Sequence, residues 1–279
     1  MVRTSSLNVL ESARLRQVRR LRELESVLYD SECLRRLDSD LPVYEIYRDC
    51  CDDEARDLLR RHGLRYDAIV VPPLLLGEEY VKTFGHCCLR SGGEGAHPEV
   101  FEVLEGEARF LIQRYRGEEL LDVSLVEAQE GGIVLIPPGS GHVMINASPR
   151  RLVVGSLTSR RCVQVYDQYA MRKGAAFFFL TGGRLVRNLN YSSVPEVHIL
   201  RAEAPSFLEG GLGLVQAFLR DPGRFTFLNE LSVRAELGVL ERGPLPFVSS
   251  NLLIFLNVFL ATYAALMFLT IISMVGVRV

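Results

Sequence analysis

The sequence predicts a mainly β fold, a small antiparallel barrel with appended segments at both ends, and three observations carry that expectation. Strand-like runs recur between turns over 80–88, 100–104, 108–115, 120–127, 133–136, 142–146 and 152–157. Glycine pairs and Pro137-Pro138-Gly139 punctuate them, as turn residues do. Helical periodicity is confined to the two ends of the chain, so short strands at this spacing read as a sandwich or barrel rather than a βαβ fold.

The elements follow in order. Leu15, Val18, Leu21 and Leu28, with Leu24 beside them, have helical spacing, and 15–28 reads as a short amphipathic helix with an arginine-rich outer face. Residues 41–48 alternate apolar and polar as a strand does, 53–62 reads as helix or turn, and 66–72 as a strand. After the barrel runs, 174–180 and 184–188 pair as a hairpin around Thr181-Gly182-Gly183. Residues 212–219 and 225–237 look helical, broken at Asp221-Pro222-Gly223. The expected organisation is an N-terminal helix and strand arm over 1–62, a barrel over 63–182, an extension and linker over 183–250, and a membrane helix over 251–276.

Composition narrows the function classes. The 279 residues are 48% hydrophobic and 24% charged with a formal net charge of −2, which argues against bulk disorder and against a polyanionic partner such as nucleic acid. Six cysteines, with no CxxC spacing, do not form the framework of a small secreted scaffold and read mainly as reduced, buried thiols. No apolar N-terminal segment of the secretory kind is present. Residues 243–277 contain no charge, and 252–275 is almost wholly apolar, a run of about 36 Å as a helix against a bilayer core of about 30 Å. The expectation is therefore a single-pass C-terminal anchor, with residues 1–245 on the cytoplasmic side.

Two runs carry the chemistry. One reads Gly131, five residues, Pro137-Pro138-Gly139, two residues, His142, three residues, Asn146. The other reads Gly85-His86-Cys87-Cys88, a glycine-rich loop, then Glu99, six residues, Gly106. Together they resemble the two halves of the cupin signature, which implies a double-stranded β-barrel with a divalent metal in its mouth. The expected ligands are His86, Cys88, Glu99 and His142, with Cys88 where the pattern usually has a second histidine. His86 and Cys88, two apart on one strand, share a face. A donor set of this kind suits iron, manganese, nickel or zinc, and a thiolate moves it towards zinc or iron. His97, two residues before Glu99, is an alternative ligand.

Further segments sharpen the likeness. VRRLRELESVLYDSECL, LPVYEIYRD, GEEYVKTFGHCC and HPEVFEVLEGEARFLIQ resemble the archaeal cupin-type glucose-6-phosphate isomerases over about residues 18–180. The resemblance implies a metal-dependent aldose–ketose isomerase acting on a sugar phosphate, with Glu99 near the proton transfer. It implies substrate contacts from Tyr44, Thr83, Gly85, Phe101 and Tyr166, and a homodimer as the assembly. The pattern is broken at Cys88, at Ile69 where a phosphate-side threonine is expected, at Phe101 in place of tyrosine, and at Gln164 in place of histidine. Two readings follow: a working isomerase tethered to the bilayer, or a catalytically degenerate barrel that binds a sugar phosphate or other metabolite there.

Overall fold

The computed structural model describes residues 6–90, 95–202 and 212–230. In chain order the strands are β1 (Leu15–Arg20), β2 (Pro42–Arg48), β3 (Leu64–Val71), β4 (Leu75–Leu76), β5 (Glu79–Tyr80), β6 (His86–Arg90), β7 (Glu99–Glu105) and β8 (Glu107–Arg116). They continue as β9 (Glu119–Gln129), β10 (Ile133–Ile136), β11 (Ser140–Ile145), β12 (Leu152–Ser159), β13 (Cys162–Val165), β14 (Phe177–Leu180), β15 (Arg184–Arg187) and β16 (Val197–Arg201). Helices α1 (Ser6–Glu11), α2 (Asp53–Arg61), α3 (Asp167–Met171) and α4 (Leu214–Arg220) are short.

Two six-stranded sheets form the body, in the orders β1-β2-β3-β12-β7-β10 and β13-β6-β11-β8-β9-β16. A main core fills the space they share, with Phe101, Val103 and Val154 from the first sheet meeting Phe110, Ile112 and Met144 from the second. The fold is thus mainly β, as the recurrence of short strands requires. β14 and β15 pair antiparallel as the expected hairpin and join β4 and β5 in a small third sheet. Strand β16 pairs parallel to β9, a partner that no local pattern announces.

The first sheet is covered on both faces. A second core, with Leu64, Tyr66 and Ala68 from β3 and Leu157 from β12, packs beneath α2, α4 and the 3-10 helix Pro222–Leu228. Helix α2 forms there because its ends are well supplied. The Asp52 side chain accepts from the Ala55 N–H, Asp53 and Glu54 open the helix, and Arg60 and Arg61 close it against the macrodipole.

Two expectations are corrected. Residues 15–28 are not one helix: 15–20 is strand β1, paired antiparallel to β2, and only Leu21–Val27 is helical, as a 3-10 helix. The three-residue apolar spacing is a helical one, but no residue of this edge strand is buried, so its pattern reports no packed face. Cross-strand pairing decides it, with Arg16 gripping Glu45 on β2 through Nε at 2.8 Å. The membrane localisation is also corrected. Among the described residues no helix is long and apolar enough to cross a membrane. The longest, α2 with nine residues, spans only about 13.5 Å. Residues 252–275, on which that expectation rested, lie outside the described residues, as do 231–237 and the expected linker.

Candidate metal centre and substrate pocket

The pocket is built from facing rungs of the two sheets. On the first sheet, Glu99 (β7) stands opposite Thr158 (β12), which stands opposite Arg65 (β3). The next rung carries Phe101, Ser156 and Asp67, and the one after it Val103, Val154 and Ile69. On the second sheet His142 (β11) lies opposite His86 (β6), and Gln164 (β13) opposite Cys88. Strand alternation turns each of these sets to one face.

The structure brings His86, Glu99 and His142 together. Their imidazole centroids lie 4.6 Å apart. His86 Nε2 is 3.5 Å from Glu99 Oε1, and His142 Nδ1 is 3.6 Å from Glu99 Oε2. Ligand atoms of all three lie within 4.8 Å of one another, a candidate metal-binding group. Glu99 Oε2 and His142 Nδ1 are buried and have no hydrogen-bond partner. Burial without a partner is costly for such groups, and a cation between them resolves it, so the residues fit a divalent metal.

The electrostatics agree. Burial pushes the Glu99 carboxyl up, but His86, His142 and Arg65 outweigh it and hold it below the usual carboxylate range. Burial, aided by neighbouring His86, pushes His142 down to about 3, so its ring is neutral and its lone pair available. One consequence is measurable. Without bound metal the folded state resists protonating His142, whereas the unfolded chain takes that proton below about pH 6.5. Unfolding free energy is expected to fall as pH drops from about 6.5 towards 3, by up to about 1.4 kcal/mol per pH unit from this group. Denaturant titrations at pH 7 and 5.5 check it: His142→Gln should flatten the loss, and an equal loss in that variant contradicts it.

The remaining expected site residues divide. Tyr44, Thr83, Gly85, Phe101 and Tyr166 all line the same pocket. Phe101 packs its ring 4.9 Å from His142, and Tyr166 lies 6.0 Å from His86. Gly85, at φ +92°, is required: a Cβ there would stand 2.7 Å from Tyr169 and Val143. Thr83 Oγ1 accepts the Met144 N–H at 3.0 Å, which leaves its own proton to donate.

Cys88 is on the expected face but is not a free thiolate, because it is disulfide-bonded to Cys162. Tied in that bond it offers a metal no charged sulfur. With that bond reduced, Cys88, Cys162 and Glu99 would present ligand atoms within 4.8 Å of one another. His97 turns elsewhere, its Nδ1 lying 3.2 Å from the Leu228 carbonyl. Gln164 takes a place beside the cluster: Tyr166 Oη donates to its Oε1 at 3.0 Å, which leaves its Nε2 to donate to His86 Nε2 at 3.2 Å. The polar residues that sequence reading missed are Arg48, Arg65, Asp67, Ser156 and Thr158, all lining the pocket.

The family model described as "Glucose-6-phosphate isomerase (GPI)" matches residues 18–196, well over half of the chain. The chain belongs to the glucose-6-phosphate isomerase family. Its match takes in every strand of this pocket, from β2 to β13. No curated protein matches it. Similar solved structures include recombinant oxalate oxidase in complex with glycolate, at 17% identity and TM-score 0.33 over 44% of this chain and 55% of that one. Vicilin from Capsicum annuum is 12% identical at TM-score 0.32, covering 44% and 30%. A deletion mutant of Bacillus subtilis oxalate decarboxylase is 15% identical at TM-score 0.33, covering 45% and 28%. The chain thus spans about half the length of the first and less than a third of the other two.

Proposed function

We propose that this family member is an aldose–ketose isomerase that interconverts glucose 6-phosphate and fructose 6-phosphate. The observation that carries the reading is Glu99, an ionised carboxylate buried in the pocket with an imidazole against each of its oxygens. Such a carboxylate can take the C2 proton of the open-chain sugar. The electron pair released forms the C1–C2 double bond and leaves negative charge on the C1 oxygen. Return of the proton to C1, with transfer of the C2 hydroxyl proton to the C1 oxygen, completes the ketose. A divalent cation held by His86, Glu99 and His142, of iron, manganese, nickel or zinc, supplies polarisation of the two sugar oxygens when bound.

The rest of the pocket supports this use. Thr83 and the Gly85 turn offer donors for the phosphate end, and burial pushes the Tyr44 phenol up to about 12, which keeps it a neutral donor. Phe101 excludes water beside His142. Gln164 Nε2 donates to the His86 Nε2 lone pair until a cation takes it, and stands where a histidine would have offered a further proton-transfer group.

A second reading, a degenerate sugar-phosphate binder, is favoured by the tie between Cys88 and Cys162, which removes a ligand. The test is turnover of glucose 6-phosphate by the full-length chain loaded in turn with Fe²⁺, Mn²⁺, Ni²⁺ and Zn²⁺. Fructose 6-phosphate with any of them supports the isomerase, and saturable binding with no product from any supports the binder. Cys88→His bears on the same point: it places an imidazole on the inward face of β6 and frees Cys162. Elemental analysis after desalting should show more metal retained than in the parent protein, and equal retention would remove position 88 from the site.

A further inference from the structure

We propose that Cys88 and Cys162 form a thiol–disulfide switch that decides which metal the pocket holds. Joined, they leave the cation to His86, Glu99 and His142; reduced, they add two sulfur donors beside Glu99 and select zinc. The inference rests on the metal-centre reading above and stands apart from the isomerase chemistry. It starts from strand alternation. Cys88 is two residues from His86 on β6, and Cys162 is two residues from Gln164 on β13. Gln164 lies opposite Cys88, so Cys162 sits diagonally across from Cys88 on the same inward face. Val163, between Cys162 and Gln164, turns outward and is 46% exposed. Cys87 turns the other way and stays a free thiol in the main core. Cys33, Cys50 and Cys51 are likewise buried and free, so oxidation has singled out the two cysteines that face the metal site.

Glu99 is the second, independent observation. It is 1% exposed and belongs to two donor sets, one with His86 and His142 and one with Cys88 and Cys162, the ligand atoms lying within 4.8 Å of one another in each. Its Oε2 has no hydrogen-bond partner, and a buried carboxylate oxygen of that kind calls for a cation. Which donors join it depends on the sulfurs. A disulfide sulfur carries no charge, whereas a thiolate is a strong ligand that favours zinc over manganese. The reductant is a dithiol. Its thiolate attacks Cys162 Sγ, the bond to Cys88 breaks, and Cys88 leaves as a thiolate. The reductant's second sulfur then closes on its first, Cys162 is released, and the reductant departs as a disulfide carrying away no net charge. Two electrons pass to the protein sulfurs, and the reductant's two protons balance the two thiols formed. Metal binding then displaces those protons to solvent. Attack comes at Cys162 because β13 is the outer strand of its sheet and the flanking Arg161 and Val163 are exposed. Cys162 is also the more exposed of the pair, at 7% against 2% for Cys88.

The test is the affinity of the full-length chain for Zn²⁺ and Mn²⁺, by competition with a chromophoric chelator. One sample is oxidised with glutathione disulfide and one reduced with dithiothreitol, each then desalted without air. Thiol titration of the unfolded chain verifies the two states, four free thiols against six. Reduction should tighten zinc by more than about 100-fold, since added ligands outweigh the 10–100-fold effect of a supporting contact, and should change manganese far less. Cobalt in the reduced chain should show sulfur-to-metal charge-transfer absorption that the oxidised chain lacks. Cys162→Ser, reduced, should lose most of the zinc gain. Equal zinc affinity in the two states overturns the proposal. So does reduced Cys162→Ser that binds zinc as tightly as the reduced parent, which assigns the gain to the other thiols. Should that variant fail to fold, the cobalt spectrum of the parent decides, and no sulfur absorption in the reduced chain overturns the switch. Metal bound by neither state removes the His86–Glu99–His142 centre as well, whereas metal bound equally by both removes the switch alone.

Discussion

Glu99→Gln is expected to lower isomerase turnover by about 10³-fold or more while leaving the fold intact. The amide keeps the volume and the two contacts with His86 and His142, and it removes the basic oxygen that takes the C2 proton. A positioned acid–base group contributes on the order of 10²–10⁴-fold, and here it also contributes charge beside the two imidazoles. Burial of Glu99 makes the substitution tolerable for folding, because a neutral amide costs less to bury than a carboxylate. Steady-state turnover and thermal melting, measured side by side, check both halves. Unchanged turnover in a folded variant removes Glu99 from the chemistry.

The second large effect is expected at His142. His142→Ala should abolish stoichiometric retention of a divalent metal, weakening it by more than about 100-fold, since a lost ligand exceeds the 10–100-fold cost of a lost supporting contact. Glu99 Oε2 would then face no nitrogen. The ring sits between Phe101 at 4.9 Å and Phe110 at 6.2 Å, so the variant also opens a gap in an aromatic cluster. Elemental analysis of the variant and the parent, both loaded and desalted identically, measures the effect. Full metal occupancy in His142→Ala contradicts the assignment of this ring as a ligand.

What could be read before the structure depended on how local the signal was. The spacing from Gly131 to Asn146 and from Glu99 to Gly106 is short-range, and it points to residues that the sheets do bring together. The polar wall that carries Arg65 and Asp67 was not legible. In β3, Leu64, Tyr66 and Ala68 alternate with Arg65, Asp67 and Ile69, and an alternating strand normally turns its apolar residues to the main core. Here the apolar set faces the second core under α2, α4 and the 3-10 helix, and the polar set faces the pocket. The orientation is therefore set by α2 just before the strand together with α4 and the 3-10 helix more than a hundred residues downstream, and that packing is invisible within β3 itself. The Cys88–Cys162 contact, 74 residues apart, likewise depends on the β6–β13 register. In 15–20 the pairing partner was simply invisible to a helical count, and the strand emerged from β2.

The central claim is that Glu99 moves a proton between C2 and C1 of a sugar phosphate in this pocket. Glucose 6-phosphate deuterated at C2, incubated in ordinary water with the full-length chain loaded with divalent metal, tests it most directly. The account predicts fructose 6-phosphate in which part of the deuterium has been lost to solvent from the carboxylate, with no product from Glu99→Gln. Product that retains all of its deuterium at C1, or equal product from Glu99→Gln, would contradict it.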